Sequence, residues 1–224
     1  MGPPGAGKGT QATLLSEKLN LYYLETSKII EAKVMVSRRG EFITVAQKKY
    51  SLPEQKKRWL TGLICEPAVV SFWMKEKIRQ LVEGGESLLL AGSPRTIEEA
   101  KELMPVLTKL YSQQNIKTIL LEISAQETIH RNSHRQICEL MRHPILYSKE
   151  NAKLTNCPLD GSKLVRRQGL DDPKTIEVRL ERYREQTLPV VDYLKENGFT
   201  IAKVNGSPVP AIVFKNILKA LGEK

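Results

Sequence analysis

Gly2-Pro3-Pro4-Gly5-Ala6-Gly7-Lys8-Gly9-Thr10 places glycines, a lysine and a threonine where a helical pattern begins. The glycines let consecutive backbone N–H groups curl around a phosphate at the positive end of that helix. Lys8 then reaches the β and γ phosphates of a nucleoside triphosphate, and the Thr10 hydroxyl helps to place Mg²⁺ or a terminal phosphate. The strict pattern has Ser or Thr directly after the lysine, and here Gly9 intervenes. Gly5, Ala6, Gly7, Lys8, Gly9 and Thr10 are therefore the candidate triphosphate-binding residues.

Such a loop has to be held by strands and helices, and the periodicity alternates between the two kinds. Helices are expected over 8–19, 26–37, 66–82, 96–111, 125–135 and 172–197, the last bent near Pro189. Strands are expected over 22–24, 87–91, 117–123 and 199–204, apolar enough to be buried on both faces as parallel strands are. Thr96-Ile97-Glu98-Glu99 and Ser124-Ala125-Gln126-Glu127 read as capping boxes, and Asp172-Pro173 and Ser207-Pro208 as helix starts. The fold class is α/β, a parallel sheet flanked by helices. Residues 136–170 lack both periodicities and read as an inserted flap.

Composition narrows the function classes. The 224 residues are 41% hydrophobic and 27% charged, which excludes wholesale disorder. The longest apolar runs fall far short of the ~20 residues a membrane helix needs, so no membrane partner is expected. Neither a basic nor an apolar leader stands at the N-terminus, and three cysteines are too few for a disulfide framework; both point to the cytoplasm. A net charge of +10 admits polyanionic partners, but the basic residues are scattered, without a run of five, and no nucleic acid is expected. Phosphate-bearing small molecules account for the charge as well.

The Gly-Lys-Gly-Thr variant of the loop resembles the nucleoside monophosphate kinases, the adenylate kinases above all. Gly92-Ser93-Pro94-Arg95-Thr96 resembles the family's Gly-Phe-Pro-Arg-Thr segment, Arg131 and Arg135 stand at its two arginines before the lid, and Asp171-Asp172 with Arg179 and Gln186-Thr187-Leu188-Pro189 resembles the segment after it. The resemblance implies a P-loop three-layer sandwich with core residues 1–27, 64–135 and 171–224, an acceptor-binding insert over 28–63 and a lid over 136–170. It implies ATP and AMP as small-molecule partners, Mg²⁺ with ATP, and a monomer. Lys8, Arg95, Arg131, Arg135, Arg179 and one of Arg166 or Arg167 would clamp the transferring phosphoryl group, whose charge spreads over its equatorial oxygens. Thr26, Glu31, Gly62, Leu63, Ile64, Cys65, Gly92, Arg95, Glu99, Arg167 and Arg179 would line the acceptor site.

The chain departs from the family at several of these positions. The resemblance implies a buried strand directly before the loop, and Met1 leaves no room for one. Glu31 replaces an arginine that contacts the acceptor's phosphate. Lys28 and Ala91 replace aspartates that orient the waters of Mg²⁺, and Glu99 replaces a glutamine that reads the adenine edge. A carboxylate at 99 suits the N–H donors of guanine as well as of adenine. A kinase for another monophosphate such as GMP or CMP, or a nucleotide-binding protein with lapsed catalysis, therefore stands beside the adenylate kinase reading.

In the flap, Cys157-Pro158-Leu159-Asp160-Gly161 resembles the second half of a zinc knuckle found in some lids of the family. Cys138 is followed by Met141 and His143, and imidazole is the better zinc ligand, so Cys138, His143, Cys157 and Asp160 form the candidate structural Zn²⁺ set. Two ordinary cysteines in a hydrogen-bonded lid are the alternative.

Overall fold

Leu88-Leu89-Leu90-Ala91 is too apolar to face water, and it forms a strand (β4, Leu88–Ala91) paired in parallel with β1 (Tyr22–Glu25), Leu24 opposite Leu90. A second parallel pair joins β5 (Thr118–Glu122) to β9 (Ile201–Asn205), with Leu121 opposite Val204. The computed structural model describes residues 1–142, 144–147, 149–166 and 171–223. Among them no ladder joins β4 to β5, so the sheet is present as two halves. Met1 stands at the seam: its carbonyl accepts from Leu121 N at 2.9 Å and its ammonium donates to the Ile119 carbonyl. That exchange with residues 119 and 121 is the pattern of a parallel ladder, one residue long.

Helices cover both faces of the half-sheets. Around β1 and β4, α4 (Pro67–Glu83), α5 (Ile97–Tyr111) and α8 (Leu188–Glu196) bury Met74, Ile78, Leu103, Val190 and Leu194 in one core. Around β5 and β9, α1 (Lys8–Leu19) and α9 (Pro210–Leu221) bury Leu15, Val213 and Ile217 in another. Each such side chain contributes about 1.5–3 kcal/mol on burial.

Between β1 and α4 run α2 (Thr26–Met35), the hairpin β2 (Phe42–Val45) and β3 (Lys48–Ser51), and α3 (Leu52–Leu60). After β5, α6 (Ala125–Ser133) leads into a small antiparallel sheet of β6 (Gln136–Cys138) between β7 (Pro144–Ile145) and β8 (Leu164–Val165). These strands are too short for the main sheet, as the sequence implied.

Three local expectations change. The helix expected over 172–197 is α7 (Pro173–Arg182), a π-helical turn Tyr183–Thr187, and then α8; Pro189, which lacks an N–H, stands near the start of α8, so the chain widens there instead of breaking. Asp172 precedes α7 but makes no side-chain cap bond. Ser207-Pro208 lies before the helix start, and α9 begins at Pro210 behind Val209. The caps at Thr96 and Ser124 do form, accepting from Glu99 N at 3.1 Å and Glu127 N at 3.0 Å.

Candidate active site

Gly7, with φ 87°, is the residue before α1, and its carbonyl accepts the first helical bond from Gln11 N at 2.9 Å. A left-handed backbone at that point favours glycine, so the turn that aims the loop's N–H groups over the helix start rests on it. Gly5 approaches α6 so closely that a Cβ there would lie 2.6 Å from Asn132 Nδ2. Thr10 stands in the first turn of α1. Lys8 folds back on its own loop, Nζ donating to the Gly2 and Pro3 carbonyls at 2.7 Å each.

Lys8 is also surrounded by cations. Its pKa is held well below that of an ordinary lysine, first by burial and then by the charges of Arg95, Arg179 and Arg135. Lys8, Gly62, Ile64, Gly92, Arg95 and Arg179 line one cleft of about 720 Å³. Gly92 (φ 103°), also lining it, directly follows β4, and a Cβ there would lie 3.1 Å from Arg95 Nη2 and 3.3 Å from Thr26 Cβ. The Thr26 hydroxyl is buried without a hydrogen-bond partner among the described residues. Gly62 abuts α7, where its Cβ would meet Thr175 Cγ2 at 2.8 Å and the Arg179 stem at 3.1 Å. A loop made for phosphate and the positive charges of Lys8, Arg95 and Arg179 thus meet at one cavity, which suits stabilising charge on a phosphoryl group in transit.

Comparison with known proteins agrees with this geometry. The profile of the family described as Adenylate kinase matches residues 1–199. The chain belongs to the adenylate kinase family. It is 29% identical over 224 residues to an adenylate kinase of Clostridium botulinum (strain Langeland), covering 99% of this chain and 96% of that one. It is 31% identical over 227 residues to that of Methanothrix thermoacetophila, covering 100% and 97%, and 30% identical over 225 residues to that of Caldicellulosiruptor saccharolyticus, covering 99% and 97%. Membership makes the protein a phosphotransferase acting on nucleotides. No helix among the described residues is long and apolar enough to cross a membrane.

Other residues singled out by the adenylate kinase resemblance have partners away from the cleft. Arg131 spends its guanidinium on backbone, donating to the carbonyls of Ser207 at 2.8 Å, Gly206 at 3.0 Å and Gly5 at 3.4 Å, with Glu127 at 2.5 Å from Nε. It ties the phosphate loop to the turn after β9. Glu31 pairs with Arg142 of the flap at 3.4 Å. Lys28 lies 3.6 Å from Glu25. Leu63 is exposed, whereas Cys65 is buried, its thiol directed at the Gln55 carbonyl at 3.5 Å and pushed up to about 11 by burial. Glu99 is 1% exposed. Arg167 and His143 lie outside the described residues.

Sequence reasoning missed Arg58 and Gln55 of α3. Arg58 donates to the Ile64 carbonyl at 3.3 Å and pairs with Glu66 at 2.8 Å, and Gln55 accepts from Glu66 N at 2.8 Å. Together they shape the segment 62–66 that lines the cleft. Nothing local distinguishes Arg58 from the neighbouring Lys56 and Lys57, so only the fold could single it out.

In the flap, Cys138, Cys157 and Asp160 offer ligand atoms within 4.8 Å of one another. Cys138 Sγ donates to Asp160 Oδ2 at 3.0 Å, while Asp160 Oδ1 accepts from Ser162 N at 3.0 Å and Oγ at 2.7 Å. Leu159 N donates to Cys157 Sγ at 3.4 Å. Two thiols and a carboxylate that is itself oriented by a hydroxyl are a donor set suited to zinc.

Proposed function

We propose that this member of the adenylate kinase family transfers the γ-phosphoryl group of ATP to AMP, giving two ADP. The observation that carries the reading is that Lys8, Arg95 and Arg179 line one cleft beside the loop before α1, with the charge of Arg135 also acting on Lys8. An oxygen of the acceptor's phosphate attacks the γ-phosphorus, and the bond to the β–γ bridging oxygen breaks with its electron pair leaving on ADP. No covalent intermediate with the protein is needed, only in-line placement and charge neutralisation.

Gly5, Ala6, Gly7 and Gly9 present backbone N–H groups to the donor phosphates, while Lys8 and Arg135 follow the charge as it moves to the bridge. Arg95 and Arg179 hold the acceptor's phosphate, and the Thr26 hydroxyl with the backbone of 62–65 receives its ribose and base. Mg²⁺ bound with ATP supplies further neutralisation of phosphate charge; the Thr10 hydroxyl, a hard oxygen donor, is the side chain that would hold it. Arg131 braces the loop in the free protein and completes the donor site.

Residues 28–63 form the acceptor-binding insert and 136–170 a lid that excludes water, a separation that prevents wasteful hydrolysis of ATP. Cys138, Cys157 and Asp160, with His143 as fourth ligand, would hold a zinc ion, which would supply a structural staple for that lid. The protein acts as a cytoplasmic monomer. The test is diphosphate formation from ATP with AMP, GMP, CMP and UMP in turn. AMP should be turned over fastest; preference for another monophosphate would move the acceptor assignment, and no turnover despite ATP binding would replace it with the lapsed-enzyme reading.

A further inference from the structure

We infer that Glu99 is a positioning residue for Arg95, gripping the loop in front of α5 so that the arginine stands where the acceptor's phosphate arrives; the inference rests on the role proposed for Arg95 above. Glu99 stands one turn inside α5, behind the capping residue Thr96. In a capping box its carboxylate would return to the N–H of that capping residue. Here it reaches further. Oε2 accepts from Arg95 N at 2.8 Å and from Ser93 Oγ at 2.9 Å. One oxygen therefore binds both ends of the Ser93-Pro94-Arg95 corner, and Thr96 Oγ1 fixes the helix end of the same side chain by accepting from Glu99 N at 3.1 Å.

A carboxylate that is 1% exposed is costly to keep unless its partners are in place. Burial pushes the Glu99 carboxyl up, opposed by the Arg95 backbone bond, the Arg95 charge and the Ser93 hydroxyl. Those partners all belong to the corner that carries Arg95, so the corner and the carboxylate hold each other. Beyond the corner the arginine's guanidinium lies against Gly92 in the cleft. Releasing the backbone at 95 moves the far end of a long side chain, and a misplacement of about 1 Å at a reacting group can cost on the order of a hundredfold. With its oxygen engaged by the corner, Glu99 acts on the acceptor through Arg95 and not through the base.

The test compares Glu99→Ala, Glu99→Gln and Ser93→Ala in the full chain. Glu99→Ala should raise the KM for AMP about ten- to a hundredfold while the KM for ATP stays within about twofold, and should speed hydrogen exchange at the Arg95 amide. Glu99→Gln keeps an oxygen that accepts from both donors and should restore the AMP KM without altering the AMP to GMP preference. Ser93→Ala should show a smaller rise, and it carries the test if Glu99→Ala does not fold. An unchanged Arg95 amide, equal rises in both KM values, or a changed base preference in Glu99→Gln would overturn the inference. Because amide exchange needs no substrate, it decides the tie even if the wild type turns over no monophosphate. Turnover unaffected by Arg95→Ala would instead remove the role proposed for the arginine.

Discussion

Lys8 is a cation kept among cations, and that arrangement separates its cost in the free protein from its use with a bound nucleotide. Buried beside the charges of Arg95, Arg179 and Arg135, its protonated form is disfavoured until phosphate oxygens arrive. Lys8→Ala should therefore lower phosphoryl transfer by several orders of magnitude and leave the melting temperature equal or higher, because it removes a buried like charge. Steady-state rates and a thermal scan of both proteins check this. A variant that melts well below the wild type would show that the bonds to Gly2 and Pro3 matter more to the fold than the repulsion does. With the folded pKa below the unfolded one, the unfolded chain binds the extra proton, so stability of the free protein rises with pH through that window. Lys8→Ala should flatten that rise.

At the scale of elements, the seam between β4 and β5 is the weakest part of the sheet. Leu88 to Ala91 are all only half-buried although three of them are leucines, and they line the cleft opposite Thr118 and Ile119. Met1 occupies the end of that seam with its ammonium buried, and burial, with Lys8 nearby, lowers its pKa from 8.0 to about 5. With five apolar residues ahead of Met1, a typical strand length, the chain should pair with both edges of the seam. That form should melt higher than the chain starting at Met1; unchanged melting would mean that the seam does not accept a strand.

The small sheet of the flap, the proposed lid, has little apolar material of its own, so a staple would strengthen it. With zinc bound, a chelator should produce an early melting transition separate from the core, and Cys157→Ser should reproduce it. Far less than one zinc per purified chain, with no effect of chelator, would leave the bonds among Cys138, Asp160 and Ser162 as what holds the lid.

Across the whole molecule, Glu31 and Arg142 join α2 to the flap proposed as the lid, 111 residues apart in the chain. The contact is half-exposed, and such pairs contribute up to about 1 kcal/mol, enough to shift an open–closed equilibrium severalfold. Glu31→Gln should open the lid at low salt and make its position insensitive to ionic strength, whereas Glu31→Arg should open it further by repulsion. Fluorescent labels on β2 and the lid would report the distance. An unchanged distance in both variants would mean that the pair does not set the lid's position.

The loop, the start of α1 and the caps at Thr96 and Ser124 were legible in the sequence because their physics is local: a few residues' backbone preferences and hydrogen bonds decide them. The apolar runs of β4, β5 and β9 were legible for the same reason. Arg131 was not, because an arginine on a helix looks alike whether it meets phosphate or backbone, and its carbonyl at Gly5 lies 126 residues away. In the sequence Glu99 fits a capping or a base-reading role, and only the fold brings Ser93 and the Arg95 amide to its carboxylate. Where a charged side chain ends depends on which of many distant groups the fold brings within about 3 Å, and that choice is made by tertiary packing alone.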